Sequence, residues 1–157
     1  METIASLTAK HANDGALAWI GIRPARREPV IAREAVTLNK AGLEGDHYQK
    51  EGKRTVTLIQ EEHLSVIAAL LGLNAVKPEQ LRRNFVIRGI NLIGLKSRRF
   101  EIGDAILEGT GICAPCSRME EAFGYGGYTA VRGHGGITAR IIKPGQIKIG
   151  DTVSAIK

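Results

Sequence analysis

The sequence predicts a mainly β protein, folded as a barrel with one or two short-to-medium helices. Three observations carry this reading. Short alternating runs of apolar and polar residues recur roughly every 8–12 residues. Gly-Asp pairs stand between such runs in FEIGDAILEG (100–109) and IKIGDTVSAI (147–156), and these are the residues that tight turns require. A regular alternation of strand and helix, which a doubly wound parallel sheet needs, is missing.

Residues 1–15 hold no sustained pattern and read as a loose leader before a single domain over 16–157. ALAWIGIR (16–23) and PVIAREAVTL (29–38) read as strands separated by the basic turn RPARRE. The polar, glycine-bearing stretch NKAGLEGDHYQKEGK (39–53) reads as a loop, and loops of that length are usually functional or disordered. RTVTLI (54–59) alternates polar and branched residues and reads as a strand. EEHLSVIAALLG (61–72) is the clearest helix: Leu64, Ile67, Ala68 and Leu71 share one face. Glu61 and Glu62 suit its N-terminal dipole, and Gly72 ends it. NFVIRG (84–89) follows a turn begun by Pro78. A helix starts behind Cys116 in SRMEEAF, a glycine-rich stretch covers 124–136, and ITARIIK (137–143) is a strand.

Composition narrows the functional classes. With 157 residues, 43% hydrophobic and 24% charged, the chain suits one soluble domain with one substantial core. No apolar run approaches the length of a bilayer span, and the first fifteen residues lack the basic and apolar regions of a signal peptide. A cytoplasmic location without a membrane partner is therefore expected. The net charge of +6 favours an anionic partner. Only 4% of residues are aromatic, there is no dense basic stripe, and no nucleic-acid motif is present. A basic nucleic-acid-binding module is thus the weaker alternative to a site for a small anion.

Both cysteines fall in GICAPCSRMEE (111–121). A dithiol redox motif is one reading, but only 41 residues follow Cys116, too few for the sheet and helices a thioredoxin-type domain builds behind its motif. A zinc site would need two further ligands, and His11, His47, His63 and His134 supply no second close pair in the sequence. Cys113, ending the apolar run AILEGTGIC, reads as packing. Cys116 follows Pro115 and precedes the helix, beside Arg118; that setting favours a thiolate, against which Glu120 and Glu121 act. The residues alone leave Cys116 open between a working thiol and a buried one.

The order AGLEGDHY, RTVTLIQEEHL, LRRNFVIRGINL, FEIGDAILEGTGICAPCSRME and HGGITARIIKPGQIKIGDTV resembles the MOSC domain family, over about Leu17 to Val153. That family comprises the C-terminal domain of molybdenum cofactor sulfurases and its stand-alone bacterial relatives. The resemblance implies a β-barrel and a molybdenum cofactor (molybdopterin), bound or passed on, with no haem, flavin or zinc. It marks the cysteine after proline, here Cys116, as the catalytic residue. Cys116 would be a molybdenum ligand in the reduction of N-hydroxylated or N-oxide compounds, or a persulfide acceptor from a pyridoxal-phosphate cysteine desulfurase. A cysteine desulfurase or an electron-donor protein is the implied protein partner.

By the same resemblance Arg54, Arg83, Asn84, Asp46, His47 and Arg118 are cofactor-binding. Guanidinium groups suit the phosphate of the anionic pterin, and a soft thiolate suits the metal. His47 and Tyr48 follow Gly45-Asp46 where the family often has Arg then His, so this loop carries no permanent positive charge there, since a histidine is charged only when protonated. Arg82 could join these arginines on the phosphate but is the one that reads most readily as a surface charge; Arg23, Arg26, Arg27, Arg98 and Arg99 read as exposed turn charges, and His134 reads as a turn residue.

Overall fold

The computed structural model describes residues 1–157. Seven strands close on themselves: β1 (Gly15–Ile22), β5 (Val56–Gln60), β6 (Phe85–Arg88), β7 (Arg99–Ile102), β8 (Ala105–Ile112), β9 (Ile137–Lys143) and β11 (Thr152–Ala155). Their order is β11-β7-β8-β9-β5-β6-β1, and the ring shuts where Gly15 and Ala16 of β1 meet Val153 and Thr152 of β11. The barrel reading holds. Closure removes the sheet edges that an open array of such strands would leave unpaired. A three-stranded sheet of β10 (Gly145–Lys148), β3 (Ala35–Asn39) and β4 (Gly42–Leu43) packs beside the barrel, and β2 (Ile31–Arg33) adds to β1.

The single strand expected over 29–38 is divided. β2 pairs with β1, whereas β3 pairs with β10, so the chain changes sheets at Glu34. The two Gly-Asp turns also differ. Gly103-Asp104 closes a true hairpin, with Ile102 opposite Ala105. Gly150-Asp151 instead carries the chain from β10 in one sheet to β11 in the other, and Asp151 Oδ2 accepts the amide of Lys148 at 2.9 Å. Both glycines have positive φ, +52° and +93°, which a side chain at Cβ disfavours.

Two cores follow from strand alternation. Inside the barrel, Val56 and Leu58 of β5 and Phe85 and Ile87 of β6 join a cluster with Leu17, Ile20, Phe100 and Leu107. Ile59 and Val86 point outward and pack under the helices with Ile67, Ala68, Leu81 and Met119. Burial on both faces explains why β5 and β6 are nearly continuous apolar runs. They form the one parallel pair in the structure, and a parallel pair requires a crossover. Helix α2 (Glu61–Leu71) and helix α3 (Pro78–Leu81) provide it. Helix α2 occupies the segment the periodicity predicts, with Gly72 as its left-handed C-cap.

The remaining helices are short: α1 (Ile4–Thr8), α4 (Ser117–Phe123) and α5 (Gly127–Val131), with a 3-10 turn over Leu92–Leu95. No helix is long and apolar enough to cross a membrane.

Candidate functional site

A cavity of about 360 Å³ opens at the end of the barrel where β1 leaves and β5 and β6 enter. Its wall is drawn from distant parts of the chain. Arg23 follows β1, Asp46, Arg54 and Thr55 come from the loop ahead of β5, Arg82 to Asn84 lie between α3 and β6, and Cys113 follows β8.

Asn84 is the keystone of this wall. Its Oδ1 accepts the amide of Thr57 at 3.0 Å and the Thr57 hydroxyl at 3.2 Å, and its own amide donates to Thr57 Oγ1 at 3.1 Å. The Asn84 carbonyl accepts the amide of Gly21 at 2.7 Å. Its Nδ2 donates to the Gly21 carbonyl at 3.4 Å, so the residue ties β5, β6 and β1 together where they converge.

Arg83 is 7% exposed. Its Nε donates to the Gly135 carbonyl at 2.9 Å and its Nη1 to the Leu81 carbonyl at 2.8 Å. Its Nη2 is buried with no hydrogen-bond partner. An unpaired buried donor of this kind costs ~1–3 kcal/mol or more. The acceptor for Nε sits in a loop that only glycine permits: Gly136 has φ +86°, and a Cβ there would stand 1.8 Å from the Leu58 carbonyl oxygen.

Arg82, expected at the surface, is half-buried on the cavity wall. The reason is backbone geometry. Arg82 is the C-cap of α3 in the left-handed region, φ 60° and ψ 32°; the turn lets both Arg82 and Arg83 reach the same cavity, where consecutive strand residues would point apart. Non-glycine residues held there store strain of about 1–3 kcal/mol and cluster at functional sites. Burial holds the Arg82 guanidinium below its usual range, the charge of Arg118 lowers it further, and Cys116 acts in the opposite direction. Arg82, Arg118 and Cys116 are thus electrostatic neighbours. None of Arg54, Arg82, Arg83 or Arg118 forms an ion pair.

Of the two cysteines, Cys113 is the one in the cavity wall. Cys113 is buried, as packing requires, but it lines the cavity. Cys116 is exposed, is the N-cap residue of α4 and makes no capping bond. It is not part of the cavity wall, and its link to the cavity is its charge interaction with Arg82. The Glu120 carboxylate, expected to oppose a thiolate, accepts the amides of Gly126 at 3.1 Å and Tyr128 at 3.0 Å. Those bonds hold it below the usual carboxylate range.

Asp46 and His47 grip the chain at Arg23. Asp46 Oδ1 accepts the Arg23 amide at 2.7 Å, and the amide and Nδ1 of His47 donate to the Arg23 carbonyl at 2.8 and 3.0 Å. A carbonyl only accepts, so Nδ1 carries the proton. Asp46 is the one acidic residue of the cavity wall; burial raises its pKa, while His47 and backbone amides pull the other way. Arg54 is exposed on the wall, and His47 and Arg118 lie outside it. Arg23, Thr55, Thr57 and Thr138 are wall residues that the sequence did not single out; Arg82, which could serve the phosphate but reads more readily as a surface charge, joins them beside Arg83 and Asn84. His63 and His134, distant in sequence, meet edge-to-face with ring centroids 5.6 Å apart.

The fold has clear counterparts. The YuaD protein from Bacillus subtilis superposes with a TM-score of 0.80 at 18% identity, covering 93% of this chain and 98% of that one. YiiM from Escherichia coli gives a TM-score of 0.71 at 17% identity over 90% of this chain and 70% of its own. YiiM from Geobacillus stearothermophilus gives 0.71 at 15% identity, over 91% and 75%. No curated protein matches the sequence. The profile of the MOSC domain matches residues 37–154, a span that holds most of the barrel, Arg54, Arg82 and Arg83 of the cavity wall and both cysteines; the chain belongs to the MOSC domain family.

Proposed function

We propose that this protein binds the phosphate-bearing pterin of the molybdenum cofactor in the arginine-lined cavity and presents Cys116 to its metal. The observation that carries this reading is the buried Arg83, whose Nη2 has no partner in a wall of four arginines and a single carboxylate. A planar guanidinium with a free donor recognises a phosphate oxygen, and the charge of the bound group would offset the cost of burying it. The cavity lies within the size range of small-molecule sites. Cys116, whose charge acts on Arg82 together with that of Arg118, would supply the soft ligand that suits molybdenum. When bound, the metal would supply redox chemistry. Arg82 and Arg118 would hold the thiolate, and Asn84, Asp46 and His47 would keep the wall in place.

A second use of the same thiol is favoured by its exposure. An accessible Cys116 can accept sulfur from a cysteine desulfurase as a persulfide and hand it on, whereas a sequestered metal ligand needs no such access. An electron-donor protein would be the partner in the first case and a desulfurase in the second, both in the cytoplasm.

Anaerobic purification separates them. Molybdenum and a fluorescent pterin released on denaturation, retained by the native protein and lost in Cys116→Ser, support the metal role. A gain of one sulfur atom on Cys116 without pterin supports the carrier. Arg83→Lys keeps the charge but not the planar fork, and is expected to lower pterin retention at least about tenfold. Wild-type protein carrying neither pterin nor added sulfur would refute the reading.

A further inference from the structure

A second basic cleft lies away from this cavity, between the N-terminal segment and the 3-10 turn over Leu92–Leu95. It measures about 560 Å³, and its wall includes Lys10, His11, Asn13, Asn91, Lys96 and Arg98 but no aspartate or glutamate. The two cavities share no residue, so the second stands or falls independently of the first.

We propose that this cleft is a binding site for a phosphate group. Lys96 forms no ion pair, and Lys10 pairs only with Glu2, which is outside the cleft wall. Arg98 donates through Nη2 to the Ala5 carbonyl at 3.0 Å and to Thr8 Oγ1 at 3.1 Å. This docks helix α1 as one wall and leaves the other guanidinium donors unengaged. Asn91 uses its Oδ1 to accept the amide of Ile93, so its amide group remains a donor.

The imidazole of His11 is built into the opposite wall. Its Nε2 is shut off from solvent with no hydrogen-bond partner. The ring rests on Gly94, where a Cβ would stand 2.6 Å from Cε1; a glycine in the 3-10 turn is what makes room for it. The free ammonium of Lys96, the guanidinium of Arg98, the imidazole of His11 and the amide of Asn91, with Lys10 held by Glu2 at the edge, match the charge and acceptor-rich surface of a phosphate. That phosphate could belong to a soluble compound or to a lipid headgroup. Ile93 of the cleft wall is 46% exposed, and helix α1, whose Thr8 is also in the wall, carries Ile4 and Leu7 at 81% and 53% exposure, apolar surface of the kind a lipid headgroup site would use.

The test is titration of the full-length protein with inorganic pyrophosphate, followed by backbone amide NMR. Shifts are expected at Gly94 to Arg98 and at His11. Lys96→Gln and His11→Gln should each weaken these shifts about tenfold, whereas Arg54→Gln, in the other cavity, should leave them within about twofold. Sedimentation with phosphatidylglycerol vesicles but not phosphatidylcholine vesicles, lost in Lys96→Gln, would assign the phosphate to lipid. Pyrophosphate shifts without vesicle binding would assign it to a soluble compound. Shifts confined to residues 21–23 and 82–84, no shifts at all, or shifts unchanged by both cleft substitutions would overturn the proposal.

Discussion

Asn84 and Thr57 are joined by three hydrogen bonds that involve a side chain, from the amide and hydroxyl of Thr57 to Asn84 Oδ1 and from the Asn84 amide to Thr57 Oγ1. They bind the entrances of the only parallel strand pair, where no hairpin sets the register. Asn84→Ala removes the shared acceptor while leaving Thr57 half-buried, so unfolding in urea should show a loss of about 1–3 kcal/mol. Asn84→Asp keeps the acceptor and should cost less. Equal stability of Asn84→Ala and wild type would mean that Asn84 is not a brace.

The two cysteines should differ sharply in reactivity. Cys116 is exposed at the start of α4, and Cys113 is 6% exposed within the cavity wall. Iodoacetamide treatment of the native protein, read by peptide mass spectrometry, should modify Cys116 alone, with Cys113 labelled only after denaturation. Cys116→Ser should abolish native labelling. Equal labelling of both sites would contradict the unequal roles assigned to them.

Two carboxylates should give stability profiles of opposite slope. Burial raises Asp46 above its ordinary 3.8, so the folded state holds that proton more tightly. Its contribution is fully present below pH ~3.8 and is lost as pH rises through the folded value. Glu120 lies below its ordinary 4.5 because of the amides of Tyr128 and Gly126. Its contribution is present above pH ~4.5 and is lost as pH falls through the folded value. Relative to wild type, Asp46→Asn should therefore gain stability as pH rises from acid to neutral, and Glu120→Gln should lose it. Denaturant midpoints from pH 3 to 7 would check both signs, and parallel profiles for the two variants would contradict the assignment.

The sequence by itself determined whatever depends on neighbours along the chain. The face of Leu64, Ile67, Ala68 and Leu71, with acidic residues at one end and Gly72 at the other, specifies α2 locally. The strand over 137–143 and the turns at Gly103-Asp104 and Gly150-Asp151 are likewise encoded where they occur. Strand spacing was sufficient for the barrel class, and the order of short motifs for the family.

Tertiary structure alone decided which residues meet. Glu34 interrupts a stretch with uniform strand propensity because β2 and β3 find partners in different sheets, a matter of long-range pairing. Arg82 enters the cavity because α3 ends in a left-handed turn, and Cys113 lines the wall while the exposed Cys116 lies outside it. Those positions follow from barrel closure, which brings residues 23, 54, 83 and 113 to one end of the molecule. No local periodicity records that convergence, because ring closure is a property of all seven strands together.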